Sequence, residues 1–336
     1  MNEKHGSKRP TIYDVAKLAG VSKSLVSLVL RDSPQVSPAR RNAVHKAIEE
    51  LNYEPNVAAS SLAGKSTGLI GVVIDDYSNT WFVETLKGLR QAFDEAGYHL
   101  VVSDLHEVRS RHSDAASSLI AMRVDGLVIA AEPKSLTDKS RDVPYVVIGS
   151  RETHPERADL VTGSDELGSE LIVDHLADLG HQHIGHISGR DGAAYRRLVG
   201  FNNQTKARKC HGYVVGEGAE TNEQTGYDCT LELMKNHPEI TAIYAANDFM
   251  AAGSIAALKS LGLRVPEDIS VAGYDDTVVS GAKFLNLTTV SDSGSEIGRQ
   301  AAKLLLRRIK TPQTAPHELH LVPTLIQRGS TSSVEQ

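Results

Sequence analysis

The apolar residues near the start of the chain recur at the spacing of an α-helix. One face of the segment 11–20 carries Ile12, Val15, Ala16 and Ala19. Thr11 is predicted to cap this helix, and Asp14, three residues later, completes a weakened capping box. Gly20 then predicts a turn, because glycine readily adopts the positive φ with which many helices end.

A second short helix is predicted immediately after that turn, with Ser22 as its cap. Its inward face is expected to hold Val26, Val29 and Leu30. The other face carries small or cationic side chains that can approach phosphates and base edges: Lys23, Ser24 and Ser27. Two helices joined in this way are typical of a helix-turn-helix, which places the start of its second helix in the major groove. The same pattern also fits an αα-hairpin without a nucleic-acid partner.

Two further helices are predicted in the same region. Ser37 and Pro38 form the N-cap and the first helical position of a helix that runs to about Leu51. Asn56 is then expected to cap a helix of under two turns, VAASSLA. A helix this short is not stable alone in water, so it needs a partner. Its Leu62 is the kind of apolar side chain that can part a base step from the minor groove.

From Leu69 onward the pattern changes to short apolar runs that alternate with amphipathic stretches. This rhythm predicts a parallel sheet with helices on both faces, and it restarts after about residue 160, so two doubly wound lobes are expected. The predicted helices of these lobes are 81–97, 111–122, 166–179, 195–208, 224–236, 248–261 and 295–309. Ligands of such sheets bind outside the carboxyl ends of the strands.

Aromatic and polar side chains follow several of the predicted strands and are candidate ligand contacts. The strand LIGVVI is followed by three possible stacking surfaces, Tyr77, Trp81 and Phe82. Later strands are followed by Arg190, Arg197, Asn247, Asp248, Asp275 and Asp276. Carboxylates accept paired sugar hydroxyls and a guanidinium offers a fixed fork of donors, so this set suits a hydroxyl-rich ligand. Each residue alone could equally be a surface charge or a cap, and Asp248 could cap the helix that it opens.

Composition and charge narrow the class of protein. The 336 residues suggest two or three units, and a hydrophobic content of 40% suits a globular chain. Residues 1–65 carry a formal charge of +4 and the remainder −10, which favours a head that meets phosphate. No apolar run reaches membrane-spanning length and the polar N-terminus does not resemble a secretory signal, so a cytoplasmic location without a membrane partner is expected. Cys210 and Cys229 are expected to be free thiols.

Eight longer motifs follow one another along residues 10–331. They are TIYDVAKLAGVS, ELNYEPN, SLAGKSTGLIGVV, HLADLGHQHIGHISG, RRLVGF, AIYAANDFMAAG, VPEDISVAGYDD and PTLIQRGST. In this order they resemble the lactose-repressor/galactose-repressor family of bacterial transcription regulators. The resemblance implies an N-terminal all-α helix-turn-helix DNA-binding domain and an α/β core similar to the periplasmic binding proteins, with two doubly wound parallel-sheet lobes.

The resemblance also implies where the domains begin and end. The expected parts are a DNA-binding domain over 1–55, a hinge helix and linker over 56–66, and an effector-binding and dimerisation core over 67–336. The N-lobe of that core is expected at about 67–161 and 292–322, and the C-lobe at about 162–291 and 323–331. The chain would cross between the lobes near 161–163, 290–293 and 322–326.

Residues for DNA contact follow from the same resemblance. Lys23 and Ser24 occupy the positions that select bases in relatives, and Leu25 could touch a thymine methyl. Leu28 stands where relatives often have arginine, which puts the operator sequence in doubt. Leu62 is the implied minor-groove wedge. The full predicted set is Thr11, Tyr13, Ser22, Lys23, Ser24, Leu25, Ser27, Arg31, Ser37, Asn56, Ala59 and Leu62.

Residues for effector binding are implied in the core. Arg197, Asn247 and Asp275 match positions that bind effector in relatives, and Asp165 is a weaker match. Many relatives place a stacking aromatic where this chain has Thr221, which favours a sugar, sugar phosphate or cyclic polyol over a flat purine. The full predicted set is Tyr77, Trp81, Phe82, Arg151, Asp165, Arg190, Arg197, Asn247, Asp248 and Asp275.

The resemblance therefore implies a sequence-specific DNA-binding transcription regulator, expected to be a repressor under allosteric control by such an effector. A homodimer on a near-palindromic operator is expected, since one helix-turn-helix reads only a half-site and no leucine heptads follow Arg328. The alternative is a solute-binding receptor without DNA function, which would have no use for residues 1–65. No enzyme, cofactor or metal is expected, because nucleotide-binding and nucleophile motifs are missing and His183 and His186 point to opposite faces of one strand.

Overall fold

The computed structural model describes residues 10–30, 33–53, 66–105, 115–131, 142–151, 158–190 and 192–334. The chain divides into two compact units, Met1–Thr67 and Gly68–Gln336. None of the helices in the described ranges has the length and apolar character that crossing a bilayer requires. Cys210 and Cys229 are both free thiols.

The described residues of the first unit form three helices: α1 (Ile12–Leu18), α2 (Lys23–Leu30) and α3 (Pro38–Leu51). Gly20 turns the chain between α1 and α2 with a φ of 65°. The helices pack around a small apolar core made of Val15, Ala16, Val26, Val29, Val36, Val44, Ala47 and Tyr53. The prediction that Leu30 faces inward is wrong, because this side chain is 36% exposed at the end of α2.

The second unit begins with a six-stranded parallel sheet in the order β11-β5-β4-β3-β1-β2. Its strands are β1 (Leu69–Ile74), β2 (His99–Asp104), β3 (Gly126–Ala130), β4 (Tyr145–Ile148), β5 (Asp159–Gly163) and β11 (Glu318–Leu321). One face packs against α4 (Trp81–Glu95) and α10 (Gly294–Lys310), and the other against α5 (Ala115–Ala121). This sheet and its helices form the N-lobe.

The C-lobe is built on a four-stranded parallel sheet in the order β7-β6-β8-β9. Its strands are β6 (His183–Ile187), β7 (His211–Val215), β8 (Ala242–Ala245) and β9 (Ser270–Ala272). Apolar clusters lie on both faces, with α6 (Asp165–Asp178) and α7 (Gly192–Arg208) contributing to one and α8 (Glu223–Asn236) and α9 (Asp248–Ser260) to the other. The two doubly wound lobes that the sequence predicted are confirmed.

Two short strands, β10 (Thr289–Ser291) and β12 (Thr324–Ile326), pair antiparallel where the chain passes between the lobes. The sequence pattern did not predict these two strands, nor β5 and β11, because segments of three to five residues are too short to show a clear hydrophobic period. Since β5 belongs to the first sheet, that lobe extends to Gly163, two residues past the expected boundary.

Close helix packing fixes the position of the elements that border the cleft between the lobes. A Cβ atom added at Gly88 of α4 would lie 2.0 Å from the carbonyl oxygen of Ser295 in α10. One added at Gly226 of α8 would lie 2.1 Å from the carbonyl oxygen of Met250 in α9. Glycine therefore lets each pair of helices approach backbone to backbone. The first pair holds the middle of α4, the helix that begins with Trp81, against the start of α10.

Candidate functional site

The exposed start of α2 carries the side chains predicted to read DNA. Ser22 accepts a hydrogen bond from the Leu25 amide through its Oγ at 3.2 Å, so it caps the helix. The next two side chains, Lys23 and Ser24, are exposed to solvent. The start of α2 therefore presents a cation and a hydroxyl without any rearrangement of the core.

Tyr13 of α1 holds the Lys23 ammonium group in place. The Lys23 Nζ donates to the Tyr13 hydroxyl at 3.4 Å and lies 5.0 Å from the centre of its ring. Tyr13 is itself 64% exposed. At the start of α1, the Thr11 amide and hydroxyl both donate to Asp14 Oδ2, at 2.8 and 2.7 Å. Thr11 therefore sets the beginning of the helix that carries Tyr13.

The remaining DNA-contact candidates lie in different surroundings. Leu25 is partly buried and packs against the apolar core of the first unit, so only part of its side chain faces solvent, and its contact with a thymine methyl stays a prediction. Ser27 is partly buried, and Ser37 is exposed as the N-cap residue of α3. The other four predicted residues lie outside the described ranges: Arg31, Asn56, Ala59 and Leu62.

In the second unit, a cavity of about 80 Å³ lies between the N-lobe and the C-lobe. Segments that follow β1, β4, β7, β8, β9 and β10 contribute to its walls, together with the end of β5 and the start of α7. Seven of the ten predicted effector residues line it: Trp81, Phe82, Arg151, Asp165, Arg197, Asn247 and Asp275. The sequence thus identified strand ends that meet in space.

Arg197 is the central charge of this cavity. Its Nε donates to Asp165 Oδ1 at 2.7 Å and its Nη2 to Asp275 Oδ1 at 2.9 Å. Its Nη1 donates to the carbonyl oxygen of Ala246 at 2.6 Å, and its guanidinium lies 3.6 Å from the centre of the Tyr274 ring. Burial by itself lowers the pKa of Arg197, but the carboxylates of Asp275 and Asp165 raise it well above its ordinary value. Arg197 is therefore a permanent, rigidly held cation.

Asp292 lies beside this cation and was not predicted. Its Oδ2 accepts a hydrogen bond from the indole Nε1 of Trp81 at 2.7 Å. Its Oδ1 is buried and has no hydrogen-bond partner among the described residues. Burial raises the pKa of Asp292 to about 6. The available signal was its place directly after β10, within the predicted crossing 290–293.

Asn247 and Asp248 are neighbours in sequence but have different surroundings. Asn247 caps α9 by accepting the Met250 amide at 2.8 Å, and its amide nitrogen donates to the carbonyl oxygen of Thr221 at 3.1 Å. Asp248 does not line the cavity, so its prediction as an effector contact is corrected. Its carboxylate is fully buried and accepts hydrogen bonds from Thr277 and Thr289 at 2.6 to 2.9 Å. Burial raises the pKa of Asp248 to about 6.

Two further predicted effector residues are also outside the cavity. Tyr77 is 55% exposed and its hydroxyl donates to the carbonyl oxygen of Val102 at 3.3 Å. Arg190 forms an exposed ion pair with Glu220 at 2.6 Å. Both follow strand ends, but their side chains turn to the surface, which strand position alone does not reveal.

The cavity is acidic and rich in hydrogen-bond acceptors. Four carboxylates line it, those of Asp75, Asp165, Asp275 and Asp292, against the two guanidinium groups of Arg151 and Arg197. Arg151 lies 3.4 Å from Asp75. The lining residues outside the predicted set of ligand contacts are Asp75, Asn79, Gly149, Ser150, Thr162, Gly163, Ala193, Ala194, Thr221, Ala246 and Asp292. Such a cavity can orient a neutral ligand that carries several hydroxyl donors.

The histidines considered as metal ligands are placed as neighbours of aromatic rings. His186 is fully buried, stacks on Phe201 with ring centres 4.8 Å apart and lies at a tilt against Tyr244 with ring centres 4.5 Å apart. His183 stacks on His211 and Tyr213 near the start of β6. Within the described ranges, no group of three or more His, Cys, Asp or Glu side chains could hold a metal ion.

Comparisons with known proteins match both units. A model described as bacterial regulatory proteins, lacI family, matches residues 11–56, and a model of the periplasmic binding protein-like domain matches residues 173–331. The ribose operon repressor of Escherichia coli (strain K12) is 33% identical over 95% of this chain and 99% of its own length. The repressor PurR of Vibrio atlanticus (strain LGP32) is 30% identical over 96% of this chain and 99% of its own.

A solved structure extends the similarity to three dimensions. The lac repressor dimer bound to operator and the anti-inducer ONPF has a TM-score of 0.84 and 30% sequence identity to this chain. The match covers 97% of this chain and all of the other. The similarity therefore spans the first unit and the two-lobed core together.

Proposed function

The chain belongs to the LacI family of bacterial regulatory proteins, as its motifs predicted, and from this premise we propose that a neutral monosaccharide or cyclic polyol controls its affinity for operator DNA. The protein is a DNA-binding transcription regulator of that family, and the relatives compared above are repressors, not enzymes. We infer that it represses transcription as a homodimer on a near-palindromic operator. The effector would bind in the cavity between the two lobes.

The observation that carries this proposal is the set of fixed polar groups around Arg197. Because Asp165, Asp275 and the Ala246 carbonyl already orient the guanidinium, its position does not depend on a ligand. The buried and unpaired Oδ1 of Asp292 supplies an acceptor for a hydroxyl. A ligand hydroxyl that donates a hydrogen bond to this oxygen would remove the free-energy cost of burying it without a donor. The indole of Trp81 offers an apolar surface on the same side.

The balance of charge favours a neutral effector over a sugar phosphate. The cavity has four carboxylates and only two guanidinium groups, and both guanidinium groups already face carboxylates. A phosphate dianion would enter next to buried acidic groups, and burial already raises the pKa of two of them, Asp275 and Asp292, so adding further negative charge there would cost free energy. A neutral polyol adds no charge to the cavity, and its hydroxyl groups can form hydrogen bonds with both the acceptors and the donors there.

The size of the cavity argues against a disaccharide, and its lining argues against a flat nucleobase. Because a pentose and a purine base are of similar size, a cavity of about 80 Å³ excludes only a larger ligand. Thr221, not an aromatic residue, faces the cavity beside Asn247. The relative with the higher identity is named a ribose operon repressor, which agrees with a single sugar ring as the effector class.

Calorimetry on the purified full chain tests the effector class. The titrants are ribose and other neutral pentoses and hexoses, inositol, ribose 5-phosphate and hypoxanthine. We expect binding of at least one neutral sugar or polyol, with that affinity lost in Asp292→Asn and kept in the exposed carboxylate control Asp268→Asn. Tight binding of hypoxanthine or of the phosphate alone would overturn the proposed effector class.

A second copy of the chain is the proposed partner of an apolar face on the N-lobe. This face, which we call the α4–β2 face, carries Val83, Leu86, Lys87, Arg90, Asp94, Leu100 and Val102. Val83 is 50% exposed, and β2 is an edge strand whose outer side has no neighbouring strand among the described residues. Both basic and acidic residues border the face, so a two-fold axis between them can pair the basic residues of one copy with the acidic residue of the other. Dimerisation would supply the second half-site reader.

Light scattering and DNA binding test this partner. We expect Val83→Asp to halve the molar mass in solution and to weaken binding to a near-palindromic operator selected from a random library. Met122→Asp is the matched control, because Met122 is 54% exposed on the same lobe but does not belong to the α4–β2 face. A Val83→Asp protein that stays dimeric would place the interface elsewhere.

A further inference from the structure

A residue that lines the cavity, Asp275, and the residue after it, Asp276, have backbone conformations that side chains disfavour. Asp275 has a φ of 102° and Asp276 a φ of 49°. Residues other than glycine adopt positive φ only when the surrounding structure holds them there, and such residues are frequent at ligand sites. Asp275 is the carboxylate that faces Arg197, so this strained segment sets the position of a residue of the cavity.

Neighbouring strands hold the backbone of this segment. The Asp275 amide donates to the carbonyl oxygen of Val290 at 2.8 Å. The Asp276 amide donates to Thr289 Oγ1 at a longer 3.4 Å, and the Thr277 amide donates to Asp248 Oδ2 at 2.7 Å. Asp248, which is outside the cavity, thus fixes the end of the strained segment at Thr277.

Arg328 holds the other side of the segment through its side chain. Its Nη2 lies 2.6 Å from Asp276 Oδ1, and its Nη1 donates to the carbonyl oxygen of Leu287 at 2.8 Å. Its own amide donates to Thr288 Oγ1 at 3.0 Å, which ties the arginine to the chain next to β10. The Arg328 and Asp276 side chains are 21% and 26% exposed, so solvent screens this ion pair less than a surface pair.

We propose that Arg328 is a positioning residue for effector binding. By pairing with Asp276 it keeps that residue in the left-handed conformation, and the adjacent Asp275 carboxylate is thereby held against Arg197 and the cavity. Arg328 does not itself line the cavity. This proposal rests on the proposed function, because the affinity that Arg328 changes is the affinity of the cavity for the monosaccharide or polyol.

The decisive experiment uses glycine as a rescue. In the full-length protein, Arg328→Gln should weaken binding of the best neutral sugar about tenfold, which corresponds to about 1.4 kcal/mol. Adding Asp276→Gly to Arg328→Gln should restore most of that affinity, because glycine adopts positive φ without an ion pair to hold it. An arginine needed only for general stability would not be replaced by this glycine.

Controls separate a local effect from a loss of structure. Arg264→Gln removes an ion pair of 2.8 Å with Asp268 in the same lobe, away from the cavity lining, and should leave sugar affinity unchanged. Binding of operator without sugar should be the same in all variants. A sugar affinity in Arg328→Gln equal to that of the parent protein, or a double variant as weak as the single one, would overturn the proposal.

Hydrogen exchange distinguishes this proposal from the proposed function. The amides of Asp275 and Thr277 are both hydrogen-bonded, so they should exchange faster in Arg328→Gln than in the parent protein. If no neutral sugar binds the parent protein yet this exchange rises, the positioning role stands and the proposed effector is wrong. If the exchange rate does not change, Arg328 does not hold the segment.

Discussion

The two units of this protein place their functional side chains in opposite environments. In the first unit, Lys23 and Ser24 are adjacent in sequence and exposed on one short helix. In the core, Arg197 and Asp275 come from distant parts of the chain and are almost fully buried against each other. A surface that meets a polyanion can remain in water, whereas a site that selects a small neutral molecule must exclude water from its polar groups.

The charged groups of the two units also differ in how they respond to salt. The charges of the first unit face solvent, so salt should screen them and operator affinity should fall steeply as salt rises. The charges of the cavity are enclosed, and burial changes their pKa values instead of letting salt screen them. The following substitutions and conditions should therefore affect one unit and not the other.

The largest effect is expected from Arg197→Ala. This change leaves the buried carboxylates of Asp165 and Asp275 without their shared cation, and breaking such a buried pair costs about 3–5 kcal/mol. The free energy of unfolding of the core should fall by that amount, and sugar binding should be lost. Urea denaturation followed by circular dichroism measures the first quantity and calorimetry the second. A variant of undiminished stability would show that the network contributes little to the core.

A smaller effect, on operator binding and not on the core, is expected from Lys23→Ala. Loss of a side chain that contacts a base edge typically costs about 1–3 kcal/mol in discrimination between operators. Fluorescence anisotropy should show weaker binding to the selected operator, while the sugar affinity of the core stays the same. Lys46→Ala, which removes an exposed lysine from α3, serves as the control. Equal losses in both variants would mean that Lys23 contributes only general positive charge.

The smallest effect is expected on sugar affinity when the pH is lowered. Burial raises the pKa of Asp292 from 3.8 to about 6, so below pH 6 this carboxylate takes up a proton and is a poorer acceptor for a sugar hydroxyl. Sugar affinity should therefore fall between pH 7.5 and pH 5, by up to about tenfold if only the ionised form binds. Calorimetry at both pH values measures this change.

The contribution of Asp292 to stability has the opposite sign. Because its pKa is higher in the folded than in the unfolded protein, the folded state binds more protons between pH 6 and about 3.8. Its contribution to the free energy of unfolding therefore rises as the pH falls through this window and is lost as the pH rises through about 6. A flat sugar affinity from pH 7.5 to pH 5 would exclude Asp292 as the acceptor.

The fold could be predicted well from the sequence, and the cavity only in part. Long amphipathic segments such as α4 and α9 have a clear period, and the helix-turn-helix has its own turn residue in Gly20. The short strands β5, β10, β11 and β12 were missed because their pairing depends on remote parts of the chain.

Single residues at the cavity show why the rest could not be predicted. Asp248 and Asp275 both follow a strand, yet one is buried beneath the cavity and the other lines it. Tyr77 and Arg190 also follow strands and turn to the surface. The place of Asp292 directly after β10 was a weak signal, because its role depends on the indole of Trp81, which reaches it from the start of α4.

The sequence by itself determined the order and type of the long elements, the exposed basic head and the family to which the chain belongs, because these follow from local periodicity, capping residues and motifs. Only the tertiary structure decided which strand ends share a cavity, which buried carboxylate oxygen has no hydrogen-bond partner among the described residues and which arginine contacts the strained segment at Asp275 and Asp276. Those outcomes depend on contacts between residues far apart in the chain, where burial and charge act on groups that no local pattern connects.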